Sequence, residues 1–399
     1  MEFFTVLSIS MLIICGIYCL LIIYFSIGWV QARFPAETFK IIGLKNPFLH
    51  PVRMAQITSG DLPSTKISII IPTRNEEKNI CNCLAAISKQ NYPKELFEVL
   101  VVNDHSEDAT TDKVQEMRVS NPTLNLKLLN LEHEIGKKAT IAKGIKNASG
   151  KLIITTDADC TMGNKWLSSL VAFYEKYYPK MIIAPVCLNS NKTLFSKIQS
   201  LEFFSLQGVT GSSAAMGNPI MCNGANFIYE KSAFEEVNGF ETIEKTASGD
   251  DVLLMLKFKK KFNPAIAFVQ SKDAVVYTEP QPNLKSFFQQ RKRWVSKSSA
   301  YRDFFTIFTS ITVFLCCFSI VLSAVLSIFN AAFVEILVLQ LVLKSAVDIF
   351  FLYLVALFFG KPKLLLLFII EQVLYVFYVP FIVIAGTTGK TNWKGRAIS

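Results

Sequence analysis

The chain has 399 residues, 51% of them hydrophobic and 33 of them Phe, with a formal net charge of +10. That apolar load exceeds what a soluble enzyme of this size carries, which argues against a wholly soluble protein. The basic residues are not interleaved with aromatics on one stripe, so the charge speaks for an anionic membrane leaflet and against nucleic acid.

Residues 3–32 carry no charge. They lack a basic leading segment and a small-residue cleavage site, so 1–32 reads as a retained transmembrane anchor, not a cleaved signal peptide. Arg33, Lys40, Lys45 and Arg53 follow, which places the next domain in the cytosol. Residues 33–65, with Pro35, Pro47, Pro51, Gly60 and Pro63, read as a juxtamembrane linker. The domain at 66–302 changes character. Short β-prone runs at 67–72, 98–104, 124–129 and 151–156 alternate with helical stretches at 79–90, 110–119 and 137–148. This alternation predicts an α/β fold with a mostly parallel sheet covered on both faces and ligands beyond the strands' carboxyl ends. Residues 193–215 and 283–302 read as amphipathic helices at the membrane interface, with ordinary amphipathic core helices as the alternative.

Apolar blocks at 304–334, 336–359 and 364–389 predict transmembrane helices within 303–389, followed by a tail at 390–399. Lys344 and Asp348 share one helix face and are expected to pair, with Glu371 nearby. The turn Gly360-Lys361-Pro362-Lys363 suits the cytosolic side. One anchor and three later spans then leave Lys390, Lys394 and Arg396 outside, against the positive-inside expectation. The nine cysteines show no zinc spacing, and a cytosolic domain is not expected to form disulfides.

The polar clusters carry the chemistry. Asp157-Ala158-Asp159 follows the fourth predicted strand, and two carboxylates at a strand end suit a hard divalent cation that also meets a diphosphate. An Asx-turn is the alternative. Ile71-Pro72-Thr73-Arg74-Asn75-Glu76 and Asn103-Asp104-His105-Ser106 close the first two strands and could hold a nucleoside or cap a helix. Gly136-Lys137 opens a helix in a way that suits a phosphate. Gly249-Asp250-Asp251 precedes an apolar helical run, where an acid could act as general base or complement the helix dipole. Gln290-Arg291-Lys292-Arg293-Trp294 could clamp a pyrophosphate or anchor the surface.

Together, in this order, these clusters resemble the membrane-bound family-2 glycosyltransferases, a group that includes cellulose, chitin, hyaluronan and poly-N-acetylglucosamine synthases and ceramide glucosyltransferases. The resemblance covers roughly residues 66–300. It implies a GT-A fold, a nucleoside-diphosphate sugar donor, usually UDP-linked, Mg²⁺ or Mn²⁺, and inversion at the anomeric carbon. It assigns Thr73, Asn75, Glu76 and Asp104 to the nucleoside and Lys137 to the diphosphate. Asp157 falls to the ribose or metal and Asp159 to the metal. Asp251 becomes the base, with Asp250 where the family has Glu. Gly224 and Asn226 border the donor and acceptor sugars. Gln290, Arg293 and Trp294 match the Gln-x-x-Arg-Trp element, with Arg291 in its second position. The expected protein is multi-pass in a bacterial inner membrane and passes a sugar to a lipid or glycan acceptor. A processive polysaccharide synthase and a catalytically silent membrane scaffold are the alternatives.

Overall fold

The computed structural model describes residues 2–33, 64–190, 193–243, 249–387, 391–393 and 396–398. Nearly all of the expected linker (34–63), with Lys390 and Lys394 of the expected tail, lies outside them. In chain order the elements begin α1 (Glu2–Arg33), β1 (Ile67–Thr73), α2 (Ile80–Ser88), β2 (Phe97–Asn103), α3 (Thr110–Ser120) and β3 (Leu126–Asn130). Next come α4 (Lys137–Asn147), β4 (Leu152–Thr155), β5 (Thr161–Met162), α5 (Trp166–Tyr177), β6 (Met181–Ile183), β7 (Val186–Leu188) and α6 (Leu194–Ala215). They continue with β8 (Phe227–Glu230), α7 (Lys231–Glu236), α8 (Asp250–Phe262), β9 (Ile266–Phe268), β10 (Val276–Thr278) and α9 (Leu284–Ser296). The last are α10 (Phe304–Leu326), α11 (Ala332–Phe358), α12 (Phe368–Thr387), β11 (Thr391–Trp393) and β12 (Arg396–Ile398).

Seven strands form one sheet in the order β3-β2-β1-β4-β8-β6-β9. Only β8 runs against its neighbours; the other pairings in this sheet are parallel. The β-branched runs alternate between two cores, as strands buried on both faces must. Ile69, Ile71, Val99, Val101 and Ile154 pack on α2 and α5 through Leu84, Trp166 and Leu170. Ile70, Leu100, Val102 and Ile153 belong to the opposite core, which also contains Phe25 and Trp29 of α1 and Phe351 and Val355 of α11. The apolar helices and the α/β domain therefore share a hydrophobic core.

Buried Glu98 shows how this sheet satisfies a charge. Its carboxylate accepts from Ser68 Oγ (2.7 Å), Ser149 N (2.6 Å) and Lys127 Nζ (2.8 Å). Burial would raise its pKa, but Lys127 and the serine donors outweigh that and bring it from 4.5 to about 2. A depressed carboxyl pKa stabilises the fold above pH 4.5, and the contribution is lost as pH falls towards 2. Glu98→Gln is expected to remove stability on the order of 3 kcal/mol at neutral pH. Denaturation of the detergent-solubilised protein should show that the wild-type and variant curves converge as the buffer is acidified through this window.

Among the described residues, four stretches are long and apolar enough to cross a membrane: Phe4–Ala32, Phe304–Leu326, Ala332–Phe358 and Pro362–Gly386. The apolar block at 304–334 exceeds one span because α10 stops at Leu326 and a turn follows, with Asn330 N donating to Leu326 O (3.0 Å). Asn330 Oδ1 then accepts from Ala332 N (3.0 Å) and starts α11. Lys344, 1% exposed, pairs with Asp348 as expected. Gln372 Oε1 accepts from Lys344 Nζ (2.8 Å), Gln372 Nε2 donates to Asp348 Oδ2 (2.7 Å), and Tyr18 OH donates to Asp348 Oδ1 (2.7 Å). The cost of two charges in an apolar setting is thus met by partners from three helices. Glu371 stays outside the network: its Oε2 is buried with no hydrogen-bond partner among the described residues.

The helix read at 193–215 is α6, and it is mostly buried. A Cβ on Gly208 would lie 2.6 Å from the Phe351 ring, and one on Gly211 2.8 Å from Trp29. These two glycines let α6 sit tight against α11 and α1. Its polar residues Gln199, Glu202 and Gln207 turn inward to protein partners. An apolar stripe facing other helices gives the same pattern as one facing lipid, which is why sequence alone places this helix at an interface.

Candidate active site

The carboxyl ends of β1, β2 and β4 lie side by side, since Thr73 pairs with Asn103 and Ile70 with Thr155. Arg74 ties the first two loops, its Nη1 donating to the carbonyls of Asp104 (2.9 Å) and His105 (2.8 Å). Asn75 turns the chain in the left-handed region (φ +52°), which Asn tolerates better than most residues. Asn75 Oδ1 accepts from Glu107 N (2.9 Å), so its side chain braces the loop. Asp104 Oδ2 accepts from Gly136 N (2.9 Å), and Gly136 takes φ +96°, open chiefly to glycine. The second strand end thereby fixes the start of α4, and with it Lys137.

Lys137 Nζ lies 2.6 Å from Asp157 Oδ1 and 3.8 Å from Asp250 Oδ2. It therefore joins the loop after β4 to the first turn of α8. Burial disfavours its charge, but Asp157 and Asp250 outweigh that and raise its pKa. Asp251 Oδ2 accepts from Gly224 N (3.1 Å), Oδ1 from Val252 N (2.8 Å), and Lys297 Nζ lies 3.5 Å from Oδ1. Burial pushes the Asp251 carboxyl up, yet Lys297, Lys137 and the two backbone donors hold it below the usual range. Asp159 behaves oppositely. Desolvation by the surrounding walls raises its carboxyl pKa, and the negative charges of Asp157 and Glu76 add to the effect. Its one favourable side-chain partner from another element is Thr278 on β10, whose Oγ1 donates to Oδ2 (3.2 Å).

These groups line one cavity of about 410 Å³, within the usual range for a small-ligand site. Thr73, Glu76, Asp104, Lys137, Asp157 and Asp159 border it, as do Gly224, Asp250 and Asp251. Gln290, Arg293 and Trp294 reach it from α9. Two expected residues do not border it. Asn75 braces the loop described above. Asn226 is fully buried, accepting from Trp166 Nε1 (3.1 Å) and donating to the carbonyls of Pro185 and Ala274 (2.8 Å each). Arg291 borders the cavity but is 4% exposed and bonded through both Nε (3.0 Å) and Nη2 to Glu202 of α6. Its guanidinium also lies over the Trp294 ring (4.2 Å). That bidentate pair commits Arg291 to holding α9, leaving Arg293 as the less committed guanidinium.

The sequence reading missed Lys297, Thr278 and Glu202. Lys297 was within reach: Gln290, Arg293, Trp294 and Lys297 stand at i, i+3, i+4 and i+7, one helical stripe. Thr278 and Glu202 arrive through tertiary packing, and nothing local to them signals it.

The profile of Glycosyl transferase family 2 matches residues 68–237. Glycosyltransferase AglE of Haloferax volcanii is 37% identical over 101 residues, covering 25% of this chain and 33% of that protein. Poly-beta-1,6-N-acetyl-D-glucosamine synthase of Staphylococcus epidermidis is 22% identical over 277 residues, covering 68% of this chain and 62% of that protein. The chain thus spans less than two thirds of the length of either relative. Among solved structures, mannosyltransferase PcManGT of Pyrobaculum calidifontis, in complex with GDP-Man and Mn²⁺, aligns over 96% of both chains with TM-score 0.55 and 16% identity. Residues 68–237 thus match a family-2 glycosyltransferase domain, the fold is GT-A, and the described residues include four helices apolar enough to cross a membrane.

Proposed function

We propose that the protein transfers a sugar from a nucleoside-diphosphate sugar to a membrane-associated lipid acceptor, with inversion at the anomeric carbon. The observation that carries this reading is the single cavity in which Asp157, Asp159 and Lys137 face Asp251 and the α9 stripe. The nucleoside would lie against Thr73, Glu76 and Asp104, and Lys137 would meet the diphosphate. Asp251, kept ionised by Lys297 and Lys137, is suited to take the proton of the acceptor hydroxyl as its oxygen attacks the anomeric carbon. The bond to the diphosphate breaks as that bond forms.

A hard divalent cation fits the remaining donor set. Lys137 already neutralises Asp157, whereas Asp159 carries surplus negative charge. Among the described residues no group of three or more His, Cys, Asp or Glu closes a metal cage. A cation held by Asp159 and Asp157 would then take its other oxygens from the diphosphate and from water, as Mg²⁺ and Mn²⁺ commonly do. When bound it neutralises charge on the departing nucleotide.

The acceptor reading rests on the apolar helices. Two of the ionisable groups they bury, Lys344 and Asp348, are bonded to one another and to neighbours, which supports packing rather than a polymer path. The similarity to a poly-N-acetylglucosamine synthase favours the second reading, a processive synthase. Purified membranes given labelled UDP- and GDP-sugars with Mn²⁺ decide between them. Label in the lipid extract is expected; high-molecular-weight product would overturn the lipid reading, and no transfer from any donor would overturn both.

Lys297→Met should move the acid limb of the kcat profile to higher pH. Removing the ammonium raises the Asp251 pKa, so the base becomes protonated at higher pH. A pH–rate series on both proteins measures it, and Lys297→Arg should restore the wild-type limb.

A further inference from the structure

The last apolar helix does not fit a simple crossing, and its two ends show why. Just before it, Lys361 Nζ donates to Leu188 O (2.9 Å) at the end of β7, in the α/β domain. At its far end, a Cβ on Gly386 would lie 2.6 Å from Val295 and 3.6 Å from Lys292 O, both on α9. Between these points the Tyr378 ring lies tilted against Phe287 (5.6 Å) and Phe381 meets Phe288 edge to face (5.7 Å), again on α9. Beyond it, β11 packs on α9 as well. Both ends are therefore held by the domain that contains the cleft.

The middle goes deeper. Gln372 bonds to Lys344 and Asp348, and Asp348 bonds to Tyr18 of α1. Tyr18 precedes Trp29 by eleven residues, about 16 Å at the helical rise, and Trp29 touches Phe268 of the sheet (5.9 Å). A hydrocarbon core is about 30 Å thick, so that depth is about half a crossing.

We infer that Pro362–Gly386 is re-entrant: it enters the leaflet on the cleft side, reaches about half the depth of the core, and returns to the same side along α9. This inference rests on reading the apolar helices as membrane-embedded. The chain then crosses three times, through α1, α10 and α11. Its exposed stripe, Ile369, Val373, Phe377, Phe381 and Ile384, meets the acyl chains of one leaflet, continuous with the lipid-facing sides of α10 and α11. Charge agrees with the geometry. Lys361 and Lys363, just before the helix, fall on the face that carries the domain, as the positive-inside expectation asks.

Cysteines introduced one at a time into the full chain test this in sealed vesicles of both orientations, using a membrane-impermeant maleimide and subtracting the labelling of the unsubstituted chain with its nine native cysteines. Lys260→Cys on α8 marks the domain face, Ala331→Cys the turn between α10 and α11, and Asn392→Cys the segment after α12. Positions 260 and 392 are expected to label from one side and 331 from the other. Labelling of 392 together with 331 would overturn the proposal in favour of a fourth crossing. Labelling of all three from one side would overturn the membrane reading itself, and the proposal with it.

Discussion

Asp251→Asn is expected to lower kcat by roughly 10²- to 10⁴-fold, the range for loss of a general base, with the donor KM nearly unchanged. Asparagine keeps the shape of the side chain and can still accept from Gly224 N, so the loop against α8 should hold. What disappears is the ability to take a proton. Lys297, 3.5 Å away, then loses its counter-charge, which adds to the effect. Asp250→Asn separates the two neighbours. Asp250 faces Lys137 (3.8 Å), so its loss should weaken donor binding more than turnover. Initial rates over a donor series, with circular dichroism to verify folding, measure both. Activity within tenfold of wild type in Asp251→Asn would remove that residue from the base role.

Asp159→Ala should cost at least roughly 100-fold in turnover, comparable to removing one electrostatic contact to the developing charge. Desolvation and the charges of Asp157 and Glu76 disfavour its carboxylate, and Lys137 pairs with Asp157 instead, so Asp159 has the most to gain from a cation. Excess chelator should silence the wild-type protein, and Mn²⁺ should restore it. Paramagnetic resonance offers a readout without turnover: bound Mn²⁺ loses its free-ion signal with the wild-type chain and keeps it with Asp159→Ala. Full activity in chelator would sink the cation reading. Asp157→Ala is a different lesion, since it releases Lys137 towards the diphosphate.

The parts of this fold that were legible in the sequence are those fixed by local pattern. The β1, β2 and β4 runs are β-branched and end in polar loops, so both the sheet and the site's position at its edge could be read ahead. The antiparallel strand β8 could not, because its four residues sit between a loop and a helix with no alternation to mark them. The three-stranded sheet that brings Thr278 to Asp159 is built from strands of two or three residues, below any periodic signal. Arg291 shows a different limit. Within Gln-Arg-Lys-Arg-Trp every side chain is chemically able to bind a diphosphate, and only the position of Glu202, 89 residues away, commits Arg291 to a structural partner. The tail conflict has a similar root, since a hydropathy block records length and apolar content and not whether the chain crosses or returns.

The glycine seam on α6 has a mechanical consequence. Trp294 and Arg291 are referenced through Glu202 to α6, and α6 is seated by Gly208 and Gly211 against α11 and α1. One wall of the cleft is thus registered to helices apolar enough to cross a membrane, while the opposite wall is registered to the sheet. A bilayer whose thickness tilts α1 or α11 displaces one wall relative to the other. Turnover in this protein should therefore track acyl-chain length even when donor and acceptor are saturating, which makes the lipid a mechanical parameter of the reaction as well as its setting.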